Sequence, residues 1–328
     1  MNNGFLSGIQ PSNLLHIGNY FGAIKQFVDF QNDREGIIMI ADLHALTSTK
    51  DPKKLRENIL MLTATYLATG LDAEKNILFQ QSDVPQHSEL NWVFSSLMRM
   101  SELERMTQYK DKAIVHGENV NVGIFTYPLL MAGDILLYSP LMIPVGDDQK
   151  QHVEITRDIA ERFNKTYGDT FKVPEVQITK VGARIMGLDD PTKKMSKSAA
   201  SEKNYIALTD EPDVIRKKIM SAVTDDIGVV NYTNDQPGVK NLLEILSLIK
   251  DRDPEDLSRD FEGKGYGDLK KEVAEALVEF LTPIRSKILA YMANADELKK
   301  VLADGAERAR VIAEAKMVEV KNAVGLTL

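Results

Sequence analysis

Within the segment GIIMIAD, residues Ile37, Ile38, Met39 and Ile40 follow one another with no polar side chain between them. A strand with one wet face alternates apolar and polar residues, so a strand with no polar face must be covered on both sides. That condition is met by a parallel sheet wrapped by helices. The rest of the first half obeys the same constraint. From Met1 to about Gly187, short apolar runs alternate with amphipathic stretches of helical length. Phe5 to Ile9 reads as the first strand, Gln10 to Leu15 as a loop, and His16 or Gly18 to Asn32 as a helix. Asp51-Pro52 supplies an N-cap and a proline for the first helical position, and Gly70 stops that helix, with Leu55, Ile59, Leu62 and Tyr66 on one face. Ile77 to Gln80 and Leu141 to Val145 are further strands, the latter preceded by a helix from Tyr127 to Tyr138. The predicted class is α/β: a Rossmann-like doubly wound parallel sheet with a helical insertion and an all-α C-terminal domain.

The chain has 328 residues, enough for about two domains at roughly 150 residues each. Residues 1–188 form the predicted sheet domain, interrupted at about 84–121, where the strand signal gives way to HSELNWVFSSLM and SELERMTQYKDK. The apolar residues there, Trp92, Val93, Phe94, Leu97 and Met98, either fill the local core or form a two-fold subunit interface. Residues 189–201 form a polar loop, and 202–328 carry helical patterns such as Asp213 to Ala222 and Leu242 to Lys250. The tail from Thr282 onward has eight Lys or Arg against six Asp or Glu, the pattern of a solvated face. Overall, 40 basic against 48 acidic residues give a net charge of −8, which disfavours a protein that coats nucleic acid along its whole surface. No cysteine is present, which excludes disulfides, thiolate metal sites and cysteine nucleophiles and fits a reducing, cytoplasmic setting. Neither a secretion signal nor a membrane span is expected.

Several common signatures are missing: GxGxxG after the first strand, GxxxxGK[ST], and HExxH. The five histidines are too scattered for a local metal cluster. Two other segments carry chemistry. His16-Ile17-Gly18-Asn19 opens the first helix directly after the first strand, where free helix N-terminal amides favour phosphate. Gly18 would let an adenine ring approach the backbone, and His16 could donate to a phosphate oxygen. Lys193-Lys194-Met195-Ser196-Lys197-Ser198 is too polar for a core and reads as a mobile loop; lysine clusters of this kind are commonly solvated turns. Two ammonium groups three positions apart can also bracket a triphosphate. The string KMSKS has a chance occurrence of about one in ten thousand in a chain this long. Asp134, in the apolar helix TYPLLMAGDILLY, shares one face with Met131 and Tyr127 and needs a partner, either a structural donor or a ligand.

In this order and flanking an α/β sheet, the two segments resemble the HIGH and KMSKS signatures of class I aminoacyl-tRNA synthetases. SGIQPSNLLHIGNY, ELERMTQYKDK, TYPLLMAGDILLY, VGDDQKQHVEITRDIAERFN and VGARIMGLDDPTKKMSKS narrow the resemblance to the bacterial tryptophanyl family. It is dense from Ser7 to about Ser198 and looser beyond. The resemblance implies an ATP-dependent ligase that activates L-tryptophan and transfers it to tRNA(Trp), with Mg²⁺ carried by the ATP phosphates. Gln10, Pro11, Ser12, Gly18 and Asn19 would line the ATP site, Gly146, Asp147 and Asp148 would hold the ribose, and Ile185 would touch the adenine through its backbone. Lys194, Met195, Ser196, Lys197 and Ser198 would close over the triphosphate, with Lys112 as a third cation and Lys194, Lys197, His16 and Lys112 as the catalytic set. Asp134 would accept the indole N–H, with Tyr127, Met131, Ile143, Val145, Gln149, Leu6 and His44 shaping the rest of the tryptophan pocket. Asn19 stands in place of the second His of HIGH, and Leu6 where these enzymes often carry Phe. A homodimer whose C-terminal helices read the anticodon is implied. A tyrosyl-tRNA synthetase, which shares the fold, and a non-catalytic paralogue that binds tryptophan or tRNA are the alternatives.

Overall fold

The computed structural model describes residues 4–11, 15–107, 109, 121–140, 142–144, 150–174, 184–197 and 201–328. Three strands, β1 (Phe5–Ile9), β2 (Gly36–Ile40) and β3 (Ile77–Gln80), form a parallel sheet in the order β1-β2-β3, with Phe5 opposite Gly36 and Ile37 opposite Ile77. Met142 adds a parallel bridge on the free side of β1, donating to Gly4 O at 3.3 Å and accepting from Leu6 N at 3.1 Å. The strand expected at Leu141 to Val145 is therefore represented by its central residues; both ends lie outside the described residues. All five residues of β2 are buried.

Because side chains alternate across a strand, the sheet sends two sets of residues in opposite directions. Phe5, Ile38, Ile40 and Leu78 enter one apolar cluster, while Leu6, Ile37, Met39, Ile77 and Phe79 enter another. The crossover from β1 to β2 is helical, running through α1 (Ile17–Asn19), a π-helical turn at Tyr20–Ile24 and α2 (Lys25–Phe30). After the short α3 (Asp42–Ala45), α4 (Pro52–Ala68) leads to β3, with Asp51 Oδ1 accepting from Lys53 N at 2.9 Å. Ile59, Leu62 and Tyr66 of α4 are buried and Leu55 packs beside them, as the spacing predicts.

The second face is covered by α5 (Gln86–Leu97), α6 (Met100–Leu103), α7 (Val122–Leu136) and α8 (Lys150–Tyr167). Helix α7 starts five residues before the predicted Tyr127, because Asn121 caps it by accepting from Ile124 N at 3.1 Å and Pro128 is tolerated within it. In the insertion, Phe94 is buried while Trp92 is 76% exposed, so the core takes one and leaves the other on the surface.

Beyond residue 201 the chain is helical: α9 (Pro212–Met220), α10 (Pro237–Lys250), α11 (Pro254–Arg259), α12 (Tyr266–Ala293) and α13 (Ala295–Val324). These helices share cores with the sheet. One apolar cluster runs from Phe5 through Leu242 and Leu277 to Leu302, and the other takes in Ala306, Ala309, Ala313 and Met317 of α13. In the basic tail Lys287, Lys299 and Lys300 are exposed, as its composition suggests, but cations farther along bond to groups elsewhere in the chain. Arg308 donates to Ala73 O and Asn76 O, both at 3.0 Å, Arg310 to Asp83 O at 2.9 Å, and Lys316 to Thr170 O at 3.0 Å. Lys321 pairs with Glu89 at 2.7 Å. Helix α13 is thus fastened along β3 by its own cations. Among the described residues no helix is long and apolar enough to cross a membrane.

Candidate active site

The C-terminal end of β1 delivers Pro11, buried, and Gln10, exposed, to the edge where open α/β sheets bind ligands. Ser12 lies outside the described residues. His16 is held from both sides of its own backbone: Ile17 N donates to Ile206 O and Leu208 N to Leu15 O, each at 3.0 Å. Asn19 closes the first turn by accepting from His16 N at 3.1 Å, so this side chain caps the helix from the position of the second His in HIGH. The His16 ring is buried, and its Nδ1 has no hydrogen-bond partner among the described residues. Burial first, and then the charge of Lys194, holds its pKa down at about 4. The ring is therefore neutral at pH 7, with a buried polar atom still to be satisfied.

Lys194 belongs to a short hairpin brought against this turn. Met195 N donates to Ile185 O at 3.0 Å, Gly187 N to Lys193 O at 2.8 Å, and Met186 bridges Lys194. Two buried asparagines fasten the hairpin. Asn241 of α10 accepts from Met186 N at 2.9 Å and donates to Met186 O at 3.0 Å, as a neighbouring strand would; Asn204 accepts from Ser196 N at 3.0 Å. Hydrogen bonds to the backbone and to the two asparagines tie this segment down as far as Ser196. A Cβ built on Gly18 would stand 3.7 Å from Met195 Cβ and 2.9 Å from the His16 ring, so the two motif segments face each other across a glycine. Lys194 is exposed, and Lys197 is half-buried, its pKa lowered by burial and by the charge of Lys54. Ser198, Lys112, Gly146, Asp147 and Asp148 lie outside the described residues. An orphaned imidazole nitrogen, a glycine between the two segments and the nearby charge of Lys194 fit a nucleoside triphosphate.

The second cluster lies under the same sheet edge. Asp134, on α7, is 2% exposed and surrounded by donors of this chain. His44 Nε2 donates to Oδ2 at 2.8 Å; Gln81 Nε2 and His87 Nδ1 donate to Oδ1 at 2.7 and 2.6 Å. Burial pushes its pKa up, but the hydrogen bonds from His44 and His87 outweigh it and hold the carboxyl at about 2. The structural reading of this buried acid is thus realised through side chains. An ionised carboxylate offers about four acceptor directions; with two used on Oδ1 and one on Oδ2, Oδ2 retains capacity for one further donor. Beside it the His44 and Tyr127 rings meet edge to face, 6.3 Å apart, and Tyr127 Oη lies 2.6 Å from His152 Nε2. Burial raises the Tyr127 pKa. Leu6, Ile143 and half-buried Met131 share one apolar cluster here. Val145 and Gln149 lie outside the described residues.

Sequence reasoning missed Gln81, His87 and Tyr138. Gln81 follows β3 and links two parts of the site, accepting from Leu43 N at 3.2 Å while donating to Asp134. Their only signal in the sequence was polarity next to apolar runs, which does not specify a partner.

A sequence profile of the class I tRNA synthetases for tryptophan and tyrosine (W and Y) matches residues 2–282. The chain belongs to this class I synthetase family. The tryptophan–tRNA ligase of Bacillus subtilis strain 168 is 50% identical over 327 residues, covering 99% of this chain and 98% of that protein. Among solved structures, the tryptophanyl-tRNA synthetase of Mycoplasma pneumoniae superposes with a TM-score of 0.88 at 36% identity, covering 99% of this chain and 98% of the other. That of Campylobacter jejuni, complexed with ADP and tryptophan, gives 0.86 at 38% identity, covering 98% and 99%. The chain sets its HIGN turn beside Lys194–Lys197, with Gly18 against Met195.

Proposed function

We infer that Asp134 selects the amino acid in a chain whose activity is the ATP-dependent ligation of tryptophan to tRNA. The observation that carries this reading is the buried, ionised carboxylate whose Oδ2 can take one more donor, set beside Tyr127 and Met131. Indole presents a single N–H and no acceptor, and phenylalanine presents neither. A site built around such a bond rejects the analogue lacking it by roughly 10⁴ to 10⁵.

In the first step the tryptophan carboxylate oxygen bonds to the α-phosphorus of ATP as the bond to the β-phosphate oxygen breaks, releasing pyrophosphate. The attacking group is already ionised, so no general base is needed. Lys194 and Lys197 stabilise the charge that builds on the α-phosphate and leaving pyrophosphate, and neutral His16 donates an N–H. Gln10, Pro11, Ser12, Gly18, Asn19 and the Ile185 backbone contact the nucleotide, and Gly146, Asp147 and Asp148 hold its ribose. Lys112 adds a cation. Mg²⁺ is carried on the phosphates of ATP rather than by protein ligands. In the second step a ribose hydroxyl of the tRNA terminal adenosine attacks the activated carbonyl and AMP leaves. The helices after residue 201 contact the anticodon, without Arg308, Arg310 and Lys316, whose bonds go to carbonyls of this chain. Exposed Trp92 of the insertion serves a cytoplasmic homodimer.

The test is tryptophan- and phenylalanine-dependent pyrophosphate exchange by Asp134→Asn, with native melting checked first. The tryptophan preference should fall at least a hundredfold. An unchanged ratio would remove Asp134 from selection, and absence of exchange by the native chain with any amino acid would favour the non-catalytic alternative.

A further inference from the structure

We propose that His87 is a positioning residue for tryptophan selection: backed by Tyr138, it holds Asp134 so that Oδ2 faces the substrate. The inference rests on the reading of Asp134 as the selecting group. His87 comes from α5, in the insertion, and its ring is fully buried. Its two nitrogens have different partners. Nδ1 lies 2.6 Å from Asp134 Oδ1, and Nε2 lies 2.9 Å from Tyr138 Oη. Phe79 of β3 stacks on the ring at 5.8 Å with planes 29° apart, which fixes its tilt.

The tautomer follows from the neighbours. Asp134 is ionised and can only accept, so Nδ1 must carry a proton. Burial, and then the charge of Asp134, raises the Tyr138 pKa, so its hydroxyl keeps its proton and donates to Nε2. With Tyr138 donating to Nε2, the chain Tyr138 to His87 to Asp134 runs in one direction, with each donor and acceptor matched. Together with Gln81, which donates to the same oxygen at 2.7 Å, His87 saturates Oδ1. The remaining acceptor capacity is then confined to Oδ2, on the side of His44 and Tyr127. Without His87 the carboxylate could rotate, and Oδ1 would compete for the donor.

The two amide isosteres separate the nitrogens. In His87→Asn the amide nitrogen falls near the place of Nδ1 and keeps the bond to Asp134; in His87→Gln it falls nearer Nε2, where it can only donate, to the Tyr138 oxygen, and the bond to Asp134 is lost. Pyrophosphate exchange should show His87→Gln with KM for tryptophan raised tenfold or more and KM for ATP within twofold of native. His87→Asn should recover most of that loss, and Tyr138→Phe should raise KM for tryptophan a few-fold. Equal behaviour of the Asn and Gln variants, or parallel rises in both KM values, would overturn the proposal. Asp134→Asn is measured alongside. If it loses tryptophan preference while His87→Gln does not, only the role of His87 fails; if it keeps that preference, the reading of Asp134 itself fails.

Discussion

Replacing Gly305 by alanine turns the docking of α13 on β3 into a test whose sign is informative. In an exposed helix interior, glycine to alanine stabilises by about 1 kcal/mol, because alanine restricts the unfolded chain. At Gly305 the added Cβ would lie far inside van der Waals contact with the Leu78 carbonyl oxygen and 2.6 Å from the Leu78 carbonyl carbon. Both belong to the main chain of β3, so no side chain can swing away. Carbon atoms prefer separations of about 3.5–4.0 Å, and the helix must therefore retreat by about 1 Å. A retreat of that size stretches the 3.0 Å bonds from Arg308 to Ala73 O and Asn76 O beyond hydrogen-bonding range and loosens Ala306 and Ala309 in the core. Overpacking costs roughly 1–3 kcal/mol, and the upper end applies against rigid backbone. After the propensity gain is subtracted, Gly305→Ala should destabilise by about 2 kcal/mol. The assay is urea denaturation followed by far-UV circular dichroism, with Gly267→Ala as control. Gly267 lies in the first turn of α12 with nothing within 4 Å of an added Cβ, so its variant should be neutral or stabilised by up to about 1 kcal/mol. If both variants shift the urea midpoint upward alike, α13 does not press on β3 and the reasoning fails.

The pH dependence of stability reports on His16, whose pKa is about 4 in the folded chain against 6.5 unfolded. Between these values the unfolded state binds more protons, so stability is fully present above about pH 6.5 and is lost as pH falls through about 4. The difference is about 3 kcal/mol. Urea midpoints at pH 7.5 and 4.5 should therefore fall less in His16→Gln than in the native chain, and equal falls would contradict a buried neutral ring. Asn241→Leu removes both bonds that align the Met186 to Lys194 hairpin. It should raise KM for ATP about tenfold with KM for tryptophan nearly unchanged in pyrophosphate exchange; the opposite split would sink that assignment.

What the sequence disclosed, and what it did not, follows from the range over which each feature is determined. The bounds of β1 and β3, the cap at Asp51 and the buried face of α4 are set by residues within a few positions of one another, and the structure agrees with all of them. Pairing HIGN with KMSKS needed more than local pattern; it came from a resemblance carried by residues far apart, and Gly18 against Met195 is its geometric counterpart. The partners of Asp134 were illegible for a different reason. His44, Gln81 and His87 lie 90, 53 and 47 residues away from it, on two connections of the sheet, His44 after β2 and the other two after β3. Nothing in the residues around Asp134 states which donors the topology will deliver.

Helix α13 shows the same limit from the side of composition. Counting its charges gave a solvated face, because a count treats Arg308, Arg310 and Lys316 as equivalent to lysines in water. Their actual partners are carbonyls at the two ends of β3 and at Thr170. A long, basic side chain can lay its stem along an apolar surface and still place its head on a backbone acceptor. Which of the two it does depends on whether small residues let the helix come close enough. Gly305, Ala306 and Ala309 are therefore the part of the tail that decides its role, and the charges follow from where those residues allow the helix to lie.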